Sequence, residues 1–210
     1  MLVPKAGPEN RLLGSMTLRD QLSGALSAML PDAEQHPDFA RFSRWAPLGQ
    51  EGQLRVGGLP APWPLVGFAG VYLVAQFSAA SSDGPADPFD PAVIYVGRTR
   101  TRTLAHRLTN LRAGIQTGKG HSCGNKLHVE LGGKIDGIYI AGLPVWVSRR
   151  PRPASATPAA ETAEELAADQ RQRCFRTAAI EALLIEAISR ARRSADPGGR
   201  SLLNDDALRE

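Results

Sequence analysis

Between residues 17 and 30 the leucines fall at Leu18, Leu22, Leu26 and Leu30, a four-residue spacing that places them on one face of a helix. Thr17 stands at the N-cap position and Asp20 in the first turn. A second, short helix is expected over 37–45. Pro- and Gly-rich text from 47 to 64 then interrupts regular structure. Residues 1–64 thus read as a helical N-terminal extension and 65–210 as the main domain. Over 66–77 the pattern changes to VGFAGVYLVAQF, apolar and without alternation, as expected of a strand buried on both faces. Residues 78–91, rich in Ser, Asp and Pro, form a polar connection outside the sheet. A second strand over 92–96, ended by Gly97, completes an antiparallel hairpin with a long loop.

Leu104, Leu108 and Leu111 lie at i, i+4 and i+7 and predict an amphipathic helix over 103–112, with Arg107 beside its apolar face. Gly114, Gly118, Gly120 and Gly124 break the chain, and Ser122 is placed to cap a short helix ending near 131. Residues 134–147 read as a third strand, or one interrupted near Gly142 and Pro144. A Pro-rich linker spans 150–160. One or two helices follow over 161–193, opened by acids and closed by arginines in the sense that suits the helix dipole. Three strands among helices make the fold class α+β.

The 210 residues, 42% of them hydrophobic, suffice for one well-buried core with a small appendage. The net charge is only +4, but it is unevenly spread. From residue 98 to 126 there are seven basic residues (Arg98, Arg100, Arg102, Arg107, Arg112, Lys119, Lys126) and no Asp or Glu, which leaves the rest of the chain net acidic. A basic segment of this kind suits a polyanion, and a solvated basic face is the plain alternative. The two cysteines, Cys123 and Cys174, are too few for a disulfide framework and point to reduced thiols. Zinc held by His121, Cys123, His128 and Cys174 is disfavoured because no CxxC spacing is present. Neither a signal peptide nor a bilayer-length apolar run is visible, so no membrane association and a cytoplasmic location are expected.

Glu181 stands out on chemical grounds. Its helical neighbours are Thr177, Ala178, Leu184, Ile185 and Ile188, and an unpaired carboxylate on such a stripe would be expensive. A cation partner is required, either an arginine or a metal ion. Glu186, by contrast, reads as a surface pair with Arg190.

Gly70-Val71-Tyr72, Tyr95-Val96-Gly97, Arg107-Leu108 on the next helix, Glu181 in a late helix and Asn204 after it stand in this order. In this the chain resembles the GIY-YIG nucleases. A further Gly137-Ile138-Tyr139 is set aside because no second tyrosine motif follows it. The resemblance implies a small mixed, mainly antiparallel sheet flanked by helices, with the site on one sheet face. It implies that Tyr72 or Tyr95 activates water, that Arg107 clamps the scissile phosphate, and that Glu181 holds one Mg²⁺ or Mn²⁺ whose other positions go to water and phosphate oxygens. Asn204 takes the place of the family's late Asn. A tyrosine, ordinarily titrating near ~10, serves as a base only where cations lower that value or water is polarised jointly. The family's usual His or Tyr one turn after the arginine is here Leu111, leaving His106 or His121 as candidates for that role.

The function expected is therefore divalent-metal-dependent endonucleolytic hydrolysis of DNA, duplex DNA being favoured. Arg98, Arg100, Arg102, Arg112, Lys119 and Lys126 would grip the backbone. The size resembles the family's restriction enzymes, making a restriction or defence role the expectation, with the oligomeric state open and a homodimer included. The alternative is a nucleic-acid-binding module of the same fold without catalysis; a purely structural protein would neither bind nor cut.

Overall fold

In a computed structural model, which describes residues 16–30, 40–55, 65–78, 84–99, 102–145, 163–196 and 201–204, the elements follow one another as α1 (Leu18–Met29), β1 (Ala46–Pro47), β2 (Gly70–Gln76), β3 (Val93–Arg98), α2 (Leu104–Thr117), α3 (Ser122–Leu131), β4 (Ile138–Pro144) and α4 (Ala163–Ala195). Short 3₁₀ turns occupy Glu51–Gln53 and Leu65–Gly67. The expected linker over 150–160 lies outside the described residues. The class is α+β, as expected. The sheet has four strands, not three, in the order β1-β4-β2-β3, and every pairing is antiparallel, not mixed. The unforeseen strand is Ala46–Pro47, paired with Ile140 and Tyr139. Proline signals a break in sequence but is tolerated at a sheet edge, where its missing N–H is not needed.

Residues 41–45 do not form the expected helix, and 37–39 lie outside the described residues. Ser43 instead donates its main-chain N–H to Gly142 O (2.8 Å) and accepts from Ala86 N (2.9 Å), while its hydroxyl accepts from Gly142 N (3.0 Å). Tertiary hydrogen bonds override the weak preference of so short a segment. Arg44 also bridges to Pro85, which ties part of the polar connection over 78–91 to this segment without adding it to the sheet.

β2 explains the architecture. Val71, Leu73 and Ala75 enter one core with Leu22 and Leu26 of α1 and Ile180, Leu184 and Ile188 of α4. Tyr72 and Val74 enter a second core with Leu104, Leu108 and Leu111 of α2 and Leu127 of α3. The period of two thus splits one continuous apolar run between two helical layers. The segment before Leu65 contributes to both cores, through α1 on one side and Ala46, Leu48 and Leu54 on the other. β4 runs through Gly142 without interruption; Leu65 fills the space beside that glycine.

α1 opens as its sequence predicts, capped by Thr17, and Asp20 in the first turn completes a reciprocal capping box. α4 is one helix of 33 residues. On its exposed face Glu186 pairs with Arg193 at 3.6 Å instead of Arg190. Among the described residues no helix is long and apolar enough to cross a membrane.

The outer edge of β3 is covered by residues 203 and 204. Leu203 donates its N–H to Ile94 O (3.0 Å). Asn204 acts as a side-chain peptide: its Oδ1 accepts from Val96 N (2.9 Å) and its Nδ2 donates to Val96 O (2.8 Å). Two buried backbone groups of an edge strand are thereby satisfied. Asn204→Leu is expected to leave both unpaired and destabilise the protein by about 2–3 kcal/mol, read from urea unfolding. A loss under about 0.5 kcal/mol would show that water replaces the amide.

Candidate active site

Strand pairing and one bulge decide which side chains meet. Tyr72 lies opposite Gly97, and Tyr95, two residues from Gly97, lies opposite Val74. The tyrosines are therefore diagonal neighbours on one face, their ring centroids 6.2 Å apart and inclined at 46°. Gly97 makes this packing possible. A Cβ there would stand 2.4 Å from Tyr72 Cζ, 2.5 Å from its Oη and 2.6 Å from Tyr95 Cε1. The register shifts beside Val74 and Ala75, and through this bulge the consecutive Ile94 and Tyr95 both reach the α2–α3 core.

Arg107 arrives from α2, whose first turn is capped by Thr103 accepting from His106 N. Its guanidinium lies against the Tyr72 hydroxyl. Its Nε is buried with no hydrogen-bond partner among the described residues, an expense to the free protein that pairing with an anion can offset.

His121 completes the cluster in a way its sequence context did not reveal. Ser122 was expected to cap α3, but the cap is His121, whose Nδ1 accepts from Gly124 N at 3.2 Å. That acceptor role puts the proton of the neutral ring on Nε2, which lies 3.3 Å from Tyr72 Oη and donates to it. The close crossing of α2 and α3 brings the ring there, for a Cβ on Gly124 would meet Gly114 Cα at 2.8 Å. Histidine is not among the usual capping residues. The available sequence hint was its position directly before a helix and among glycines.

Burial dominates the electrostatics. The Tyr72 hydroxyl is held well above the ordinary tyrosine value by burial, then by Tyr95, against the opposing pull of Arg107. Tyr95 is raised too, by burial first and then by Cys123 and Glu181 nearby, again against Arg107. The expected lowering by a cation is present but is the smaller effect. Burial, then Arg107, pushes His121 down to about 4, and burial pushes the Cys123 thiol up to about 12. Near neutral pH the cluster is thus a set of neutral phenols, imidazole and thiol around the Arg107 guanidinium.

Glu181 is half-buried on α4 and paired with Arg98, Nε to Oε2 at 2.6 Å. Arg98 lies opposite Val71, so strand alternation starts it toward the α4 side while the tyrosines face α2. The predicted residues therefore meet across edge strand β3, not on one sheet face. Their separation is still small enough for Glu181 to raise Tyr95. Among the described residues no group of three or more His, Cys, Asp or Glu is arranged to hold a metal. Glu181 fits a hard divalent cation as one oxygen ligand, with water or phosphate oxygens supplying the rest; the charge of Arg98 shows that the position already accommodates a cation. Asn204, predicted as catalytic, spends both ends of its amide on Val96 beside Tyr95.

An open cleft of about 410 Å³ leads to this cluster, lined by Thr99, Arg102, His106, Arg107, Asn110 and Ser122. Arg102 and Asn110 both contact His106 Nε2, forming a polar row along α2. Lys119 is exposed beyond α2. Arg112 lies 3.9 Å from Glu51 and Lys126 Nζ 3.4 Å from Leu203 O, outside the cleft. Arg100 lies outside the described residues.

Stability should fall at both ends of the pH range. Unfolded His121 takes up a proton near ~6.5 but in the fold only near about 4. Its contribution is complete above ~6.5 and is lost as pH falls through that window, by up to ~3 kcal/mol. Tyr72 and Tyr95 stay neutral in the fold and ionise near ~10 when unfolded, so stability drops as pH rises beyond that value. Urea midpoints across pH measure both limbs. His121→Asn, which keeps a capping acceptor, is expected to flatten the acid limb alone; an acid limb identical to the wild type would assign it to another group.

No protein-family model matches the chain, and comparison with curated proteins and with solved structures finds no significant match.

Proposed function

We propose that this protein is a divalent-metal-dependent nuclease of the GIY-YIG kind that hydrolyses phosphodiester bonds in DNA. The observation that carries the reading is the meeting of Tyr72, Tyr95 and Arg107, from three separate elements, where Arg107 also lines a basic cleft and Glu181 is close enough to act on Tyr95. Arg107 offers a permanent planar cation to a phosphate whose charge grows as the bond is attacked. Tyr95 is partly accessible, whereas Tyr72 is fully enclosed. Tyr95 is thus the hydroxyl that meets the attacking water, and Tyr72, held by His121, positions it. Both act from the neutral state, orienting water and relaying a proton instead of standing ready as phenolates. Mg²⁺ or Mn²⁺ bound through Glu181 would supply Lewis-acid stabilisation of phosphate charge. The cleft rim, with Arg102 and Asn110, and Lys119 beyond it, suits the flanking backbone; a restriction or defence role follows from the family resemblance alone.

The Arg98–Glu181 ion pair favours a second reading, a binding module of the same fold in which the carboxylate is purely structural. Plasmid incubated with Mg²⁺ and with EDTA separates them: metal-dependent cleavage supports the nuclease, binding without cleavage the module.

Glu181→Gln is expected to abolish metal-dependent cleavage and leave DNA affinity within about threefold; substantial turnover in Mg²⁺ would remove Glu181 from the chemistry. Tyr95→Phe should lower single-turnover cleavage by about 10²-fold or more, and Tyr72→Phe by less. Equal and near-normal rates for both variants would exclude the hydroxyls. Arg107→Ala should reduce the rate far more than affinity, while Lys119→Ala should weaken binding and lower the slope of log affinity against log salt by about one. Matching behaviour of the two variants would put the catalytic arginine elsewhere, with Arg102 the next candidate.

A further inference from the structure

Three of the residues that line the cleft are bound to one another. Arg102, His106 and Asn110 follow at four-residue spacing into and along α2, and Arg102 Nη1 and Asn110 Nδ2 (3.1 Å) both meet His106 Nε2. A guanidinium offers donors only, so this nitrogen carries a lone pair and the imidazole is neutral, with its proton on Nδ1. Two exposed donors of a basic cleft are thus engaged by a neutral histidine, and no carboxylate stands among the described residues lining it. The charged groups facing His106 there are Arg102 and Arg107; Thr99 after β3 and Gly120 and Ser122 at the entry to α3 add none. The first turn of α2, to which His106 belongs, holds no acid either, and a helix N-terminus favours an anion. A phosphate oxygen entering this row competes with the Nε2 lone pair for Arg102 and Asn110 and is repelled by it. A proton on Nε2 removes both obstacles: the ring stops accepting, releases the two donors and becomes a third.

On the reading above, in which the cleft takes a DNA backbone, we propose that Arg102, His106 and Asn110 form a second phosphate subsite, beside the phosphate that Arg107 clamps, and that filling it draws one proton from solvent onto His106. In the free protein the row is closed on itself. With a phosphate present, all three side chains turn donors toward one anion. Proton and DNA therefore bind with positive coupling, and linkage makes the effect reciprocal. The sign follows: affinity for DNA rises as pH falls. A phosphodiester does not titrate in the range where histidine does, so the pH dependence belongs to the protein.

Binding of a short DNA duplex to the full chain in EDTA, followed by fluorescence anisotropy over a range of salt at about pH 8 and about pH 6, tests this independently of turnover. Wild-type affinity is expected to rise about tenfold from the higher to the lower pH. The slope of log affinity against log salt should steepen by about one at the lower pH, as one more cation meets phosphate. His106→Gln, which keeps an acceptor but cannot take the proton, should match the wild type at the higher pH and gain little at the lower. His106→Lys carries a permanent cation and should bind at the higher pH as tightly as the wild type does at the lower, a gain that a folding defect cannot mimic. An equal gain on acidification in wild type and His106→Gln, or a wild-type salt slope that is the same at both pH values, overturns the proposal. If that happens while plasmid is still cut in Mg²⁺ and not in EDTA, the nuclease reading survives without the subsite. The expected pH dependence in a protein that cuts nothing keeps the subsite and leaves the binding-module reading; no duplex binding at either pH removes the subsite and that module together.

Discussion

The burial of β2 on both faces is the constraint from which the other features follow. A strand with two covered faces must hand alternate side chains to different layers, and here they go to α1 and α4 on one side and to α2 and α3 on the other. Tyr72 is committed to the α2 side by its parity, and its size is accommodated only because the residue facing it on β3 is Gly97. The same register brings Tyr95 diagonally beside it. The aromatic pair is thus a product of sheet geometry before it is anything chemical.

Around that pair the balance of forces is uneven. Arg107 favours the charged forms of both phenols and the neutral form of His121, yet desolvation is the larger influence on every neighbour it has in the cluster. A low-dielectric floor keeps its side chains neutral and makes the guanidinium's own field stronger. That combination suits recognition of an anion at the cleft. On the other side of β3 a carboxylate meets its cation directly, in the Arg98–Glu181 pair. The edge strand therefore separates two charge arrangements with opposite logic, and residues 203 and 204 keep it in place by pairing with its outer backbone groups.

Residues whose placement depends on local chemistry were legible in the chain. Thr17 caps the helix it precedes, Gly118 ends α2 in the left-handed conformation, and the leucines of α1 and α2 face inward at helical spacing; Gly114 and Gly124, read as breaks, instead lie inside α2 and α3, where the two helices cross closely. The need of Glu181 for a cation was also legible, because its neighbours on the helix are apolar whatever the fold. Which cation it takes in the free protein was not, since Arg98 is 83 residues away in sequence.

By itself, then, the sequence determined the helices α1 to α4, the doubly buried strand, the hairpin with its two tyrosines, and the concentration of positive charge, all of which depend on periodicity or composition within a few residues. Tertiary structure alone decided the edge strand at Ala46–Pro47, the extended course of Ser43, the capping of α3 by His121 and the pairing of Asn204 with Val96. It likewise decided that desolvation would outweigh Arg107 at the two phenols. Each of these depends on a hydrogen-bond partner or a burial depth supplied by a distant part of the chain, and local pattern carries no record of which distant groups will arrive.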